Sequence, residues 1–118
     1  MDAVVEKRQE EKQQLLRRLT ELMVEEQREQ GLYQKVPRYS ELEVAARALA
    51  EELARQAQER SAREVAAGCG SKAACPTCGE EHPVRLEKRT MTSLDGPVEL
   101  VEAVADCRPC RRSFFPSA

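Results

Sequence analysis

Leu15, Leu16, Leu19, Leu22 and Met23 recur at three- and four-residue intervals within a stretch dense in Glu, Gln, Lys and Arg, the period of one face of a helix. The pattern predicts a helix over residues 2–30. Burial is expected to start near Leu15, because Glu6 to Gln14 contains no apolar side chain. Gly31 stands where a glycine ends a helix, and Pro37 falls in the connection that follows. Ser40-Glu41-Leu42-Glu43 then reads as a capping box. Leu42, Ala45, Ala46, Leu49, Leu53 and Ala57 make a second, narrower stripe, predicting a helix over 41–66 that Gly68 terminates. Residues 1–67 are therefore expected to form an antiparallel helical hairpin. One hairpin is a thin core, so a homodimer packing as four helices, or docking on a partner protein, would cover both stripes.

The pattern changes after residue 67. Up to that point the chain has one Gly, one Pro and no Cys, whereas the remainder holds four Gly, five Pro and all five Cys. Residues 68–74 read as a small-residue linker. Val84 to Thr92 and Val98 to Cys107 are extended in character, Ser93 to Pro97 carries turn chemistry, and Ser113 to Phe115 fits a short third strand. The expected fold class is α+β, a helical hairpin followed by a small β-sheet over 75–118.

Cys75-Pro-Thr-Cys78-Gly79 and Cys107-Arg-Pro-Cys110-Arg111 are two CxxC pairs. Thiolates two residues apart in a tight turn can fill two corners of a tetrahedron, so Cys75, Cys78, Cys107 and Cys110 are expected to hold one structural Zn²⁺ as a zinc ribbon. Gly79 suits the backbone after the first pair, and Arg111, in the matching place, should be slightly strained. Disulfides and a redox-active CxxC are the weaker readings. His82 is a competing ligand at most, and Cys69 reads as a free surface thiol.

Composition adds what the core lacks. The chain has no isoleucine and four aromatic residues, so it buries little apolar surface and needs the metal's support. Nineteen basic against 21 acidic residues give a net charge of −2, which excludes a strongly basic nucleic-acid binder. There is no long apolar run and the N-terminus is too charged for a signal peptide, so a cytoplasmic protein without membrane contact is expected. A single histidine and the absence of a phosphate-binding glycine loop argue against an enzyme.

The knuckle Cys75-Pro-Thr-Cys-Gly79, the hairpin segment Thr92-Ser-Leu-Asp-Gly-Pro-Val-Glu-Leu-Val-Glu102 and the ending Cys107-Arg-Pro-Cys-Arg-Arg-Ser-Phe-Phe-Pro116 together resemble the N-terminal zinc ribbon of bacterial insertion-sequence (DDE-type) transposases. The resemblance covers about residues 75–116 and implies a zinc-binding, DNA-associated module that lacks the catalytic domain following it in that family. Only the four cysteine ligands carry over. Phosphate contacts are expected from Arg85, Lys88 and Arg89 on one strand and Arg108, Arg111 and Arg112 around the second knuckle, converging on one face. Phe114 and Phe115 are assigned to packing over the metal site in preference to base stacking. The alternative function is a protein-interaction or dimerisation module built on the helices.

Overall fold

The structure is a computed structural model and describes residues 2–116. The fold class is α+β: helices α1 (Ala3–Glu29) and α2 (Tyr39–Gly68) precede five short strands, β1 (Lys72–Ala74), β2 (Glu81–Pro83), β3 (Arg85–Ser93), β4 (Gly96–Cys107) and β5 (Arg112–Phe114). The chain forms two compact units, Met1–Val44 and Ala45–Ala118. No helix among the described residues is long and apolar enough to cross a membrane.

In the first unit, the Asp2 carboxylate accepts the Val5 N–H at 3.0 Å and caps α1. At the other end Gly31 turns left-handed at φ +89°. There the Leu32 N–H reaches the Gln27 carbonyl at 3.0 Å and the Gly31 N–H reaches the Arg28 carbonyl at 3.1 Å, which is a Schellman ending. Burial does not begin at Leu15: residues 2–18 are all exposed, and Leu19 is the first half-buried side chain. Near the end of α1, Gln27 is buried and accepts the Tyr33 hydroxyl at 2.6 Å. The capping box is displaced as well. The first turn of α2 closes on the Arg38 carbonyl, through the Glu41 and Leu42 N–H groups at 3.0 and 3.3 Å, so Ser40 lies inside the helix.

In the second unit, the covered side of α2 differs from the apolar stripe. Leu53 is 48% exposed and Ala57 is exposed, while Ala54, Arg55, Gln58, Glu59 and Ala62 are half-buried and Ala66 is buried. Polar bonds decide this. Arg55 donates to the Asp95 carbonyl at 2.7 Å, the Gln58 amide to Asp95 Oδ2 at 3.1 Å, and the Glu59 carboxylate accepts the Glu99 N–H at 2.8 Å. Glu52 steadies Arg55 at 2.5 Å and accepts the Gln56 amide at 2.8 Å. These bonds, that of Gln56 first, hold the Glu52 carboxyl below the ordinary carboxylate range.

Asp95 lies in the two-residue turn between β3 and β4, which pair antiparallel from Arg85↔Val104 to Ser93↔Gly96. The turn is thus tighter than the five residues expected. The Ser93 hydroxyl donates to the Gly96 carbonyl at 2.6 Å and accepts the Asp95 N–H at 3.1 Å. Gly96 has φ +104°, a backbone that favours glycine, and a Cβ there would lie 3.2 Å from Arg55 Nη1, so a substitution would also press on the helix clamp. β4 also pairs antiparallel with β5 through Ala105↔Phe114 and Cys107↔Arg112, and β1 pairs with β2 through Ala73↔His82. The stretch 68–74 therefore contains the last helical residue and strand β1.

Candidate metal centre

Each CxxC pair is the turn of a small hairpin. The first joins β1 to β2, where the Gly79 N–H reaches the Cys75 carbonyl at 2.8 Å and the Cys75 N–H reaches the Glu80 carbonyl at 2.9 Å. The second joins β4 to β5, where the Arg111 N–H reaches the Arg108 carbonyl at 3.1 Å. Gly79 has φ +78° and Arg111 φ +53°, so both turns close through a left-handed residue, and only the second does so with a side chain.

The two turns face each other. Cys75 Sγ lies 3.9 Å from Cys110 Sγ, and Cys78 Sγ lies 3.6 Å from Cys107 Sγ. All four sulfurs fall within 4.8 Å of one another. Sulfurs bound at about 2.3 Å to one tetrahedral ion would stand about 3.8 Å apart, so the donor set and its spacing fit a single four-sulfur site. All five cysteines are free thiols. His82 stands outside the four-residue group. Cys69 is half-buried, its thiol donating to the Val65 carbonyl at 3.5 Å.

Beneath the sulfurs lies the small core of this unit. Cys75, Cys107, Ala105 and Phe114 are buried together, with Ala73, Val84 and Cys110 packed against them. The Phe114 ring meets His82 edge to face, centroids 6.4 Å apart. Phe115 is 46% exposed and does not share that role.

The thiols are electrostatically unequal. N–H groups of Cys78 and then Thr77 point at the Cys75 sulfur and bring its pKa down to about 6. The Cys110 thiol, bonded to Cys107 and removed from water, is pushed up to about 12. Burial raises Cys107. The first knuckle therefore favours a thiolate at Cys75, and the second holds its thiol protons more tightly.

The three cations of β3 do not share one face. Alternation along β3 sets Lys88 opposite to Arg85 and Arg89. All three carry carboxylate partners: Arg85 with Glu87 at 2.8 Å and Asp106 at 2.5 Å, Arg89 with Glu102 at 2.6 Å, and Lys88 with Glu99 at 3.6 Å. Ser113 donates to Asp106 at 2.6 Å and, with Arg85, holds that carboxyl below its ordinary range. Arg112 bonds the Thr77 hydroxyl, tying one knuckle to the other. Among the described residues, Arg108 and Arg111 have no carboxylate partner. No family model, curated protein or solved structure matches the chain.

Proposed function

We propose that the chain is a non-catalytic zinc-binding module of a DNA-associated protein, of the kind that precedes the catalytic domain in insertion-sequence transposases. The observation that carries the reading is the four-sulfur group, at tetrahedral spacing, shared by two knuckles of which the second carries Arg108 and Arg111 without a carboxylate partner among the described residues. An all-thiolate set of four favours zinc, and it leaves no open position at which a bound water would react. When bound, zinc supplies a cross-link between the two hairpins. Cys75, Cys78, Cys107 and Cys110 hold it, and Phe114 supports them from below. Phosphate contact falls to Arg108 and Arg111, because the strand cations are already neutralised and Arg112 is bonded to Thr77.

Metal analysis should return about one zinc per chain. Duplex DNA binding, followed by fluorescence anisotropy between about 50 and 200 mM salt, should weaken steeply as salt rises. Replacing Arg108 and Arg111 together with Ala should lower the salt slope by about two, one for each lost phosphate contact. Absence of binding at any salt sinks the DNA reading. A second reading, an interaction or dimerisation module, is favoured by Leu15, Leu16, Leu22 and Leu53, which are 62%, 44%, 39% and 48% exposed on the helices. Light scattering tests its homodimer form: a mass twice 13.3 kDa supports the homodimer and the monomer mass removes it.

A further inference from the structure

Two of the sulfur contacts run from one knuckle to the other: Cys78 to Cys107 at 3.6 Å and Cys75 to Cys110 at 3.9 Å. A disulfide holds its sulfurs about 2.05 Å apart, so each of these pairs closes when both sulfurs shift by less than about 1 Å. The four thiols are unequally accessible. Cys75 and Cys107 are buried and Cys110 is half-buried, whereas Cys78 is exposed. An accessible sulfur with a second one placed to resolve it is the arrangement of oxidant-sensing cysteines.

Crossed pairing and pairing within a CxxC turn have different consequences. Cys78 and Cys107 are 29 residues apart in the chain, and Cys75 and Cys110 are 35 apart. Bonds of that span join the β1–β2 hairpin to the β4–β5 hairpin, and closing a long loop stabilises more than closing a short one. A bond within either CxxC closes a turn that backbone hydrogen bonds already close, and it leaves the hairpins unjoined. Arg112, bonded to Thr77, keeps the two knuckles apposed for the crossed pairs.

We propose that Cys78 is a peroxide-reactive site, and that oxidation exchanges zinc for two disulfides, Cys78–Cys107 and Cys75–Cys110. The Cys78 thiolate attacks the peroxide. Its S–O bond forms, the O–O bond breaks and hydroxide leaves, a two-electron oxidation of the sulfur to a sulfenic acid that reduces the peroxide. The Cys107 thiolate then attacks that sulfur, forming the S–S bond and expelling a second hydroxide. A second peroxide oxidises Cys110 in the same way, and Cys75 resolves it. All four thiolate donors are consumed, so the ion is released, and the covalent links take its place between the hairpins. The inference rests on the zinc reading above.

The zinc-loaded full chain is treated with hydrogen peroxide, zinc release is followed with a chromogenic chelator, and remaining thiols are alkylated before digestion with trypsin. Cleavage after Lys72, Arg85, Arg89 and Arg111 places Cys75 and Cys78 in peptide 73–85, and Cys107 and Cys110 in peptide 90–111. About one equivalent of peroxide should join the two peptides, with alkyl groups left on Cys75 and Cys110; about two should release the zinc and leave Cys69 as the alkylated cysteine. The oxidised, metal-free chain should keep the dispersed amide signals of residues 72–116, and a dithiol with added zinc should reverse the change. Cys69→Ser should follow the same course. Separate peptides, each with its own CxxC disulfide, overturn the proposal, as do sulfinic or sulfonic acids in place of disulfides, or zinc retained on four reduced thiols. A chain that holds no zinc before oxidation and still gives joined peptides removes the metal reading and leaves the crossed pairing standing.

Discussion

Arg111 and Gly79 occupy matching places in the two knuckles, and the left-handed backbone of each is forced by the turn that presents the sulfurs. An L side chain there costs about 1–2 kcal/mol. Arg111→Gly should therefore raise the stability of the zinc-loaded protein by about 0.5–1 kcal/mol, after the entropy of glycine is allowed for, and thermal unfolding would detect it. A lowered midpoint would show that the Arg111 side chain contributes more than its backbone loses. The unequal thiols give a second prediction. Cys75 has a folded pKa of about 6, below the ordinary thiol value, so the stabilisation of its thiolate is full above that ordinary value and is lost as pH falls through about 6. Cys110 runs the other way: raised to about 12, it stays protonated at neutral pH and gives up its proton only as metal enters. Zinc affinity should fall as pH is lowered from about 8 to about 5.5, measured by competition with a chelator, and binding should acidify a weak buffer. Cys75→Ser should lower affinity by more than about a hundredfold, beyond what loss of an orienting contact does, whereas Cys69→Ser should leave it unchanged. At this scale the four-cysteine group and the strain were legible, because CxxC spacing and the residue after it fix a local turn. That only one phenylalanine is buried was not, since adjacent residues on a strand face opposite sides and the sequence does not say which side the metal occupies.

Helix α2 shows where hydrophobic periodicity misleads. Its apolar stripe predicted a covered face through Leu53 and Ala57, yet the side against the β-hairpin carries Arg55, Gln58 and Glu59. Reading by apolar repeats cannot find a face whose contacts are hydrogen bonds to a backbone carbonyl, a turn carboxylate and the N–H of Glu99. Glu59 matters most, because β5 pairs only with residues 105–107 of β4 and leaves the Glu99 N–H beyond its reach. Glu59→Ala and Arg55→Ala should each destabilise the chain by about 1 kcal/mol in urea unfolding, and Leu53→Ser should stay within about 0.5 kcal/mol. The reverse order would restore the apolar stripe as the buried face. Strands β1 and β2 were illegible for a related reason. Lys72-Ala-Ala and Glu81-His-Pro have no strand propensity of their own, and they pair because the turn between them must hold Cys75 and Cys78 in register.

For the molecule as a whole, the decisive quantity is how little it buries. Of the eight apolar side chains buried among the described residues, five are Ala or Cys, and two of those are the proposed ligands Cys75 and Cys107. A three-stranded sheet with a nine-residue edge strand exposed along nearly its whole length cannot offset its own ordering entropy from such a core. Zinc held by the four cysteines, as proposed, would contribute on the order of 10 kcal/mol, enough to decide whether the hairpins exist. The helical unit Met1–Val44 holds none of the four cysteines, and α1 has its own cap and Schellman ending. Removal of zinc by a strong chelator should therefore act regionally. Amide signals of residues 72–116 should collapse toward random-coil positions in NMR spectra, those of residues 3–29 should stay in place, and readdition of zinc should restore the strands. Strands β4 and β5 persisting with dispersed signals after complete metal loss would show that Phe114, Val104 and the α2 clamp suffice without the ion, and the cysteine group would then need a role other than holding the fold.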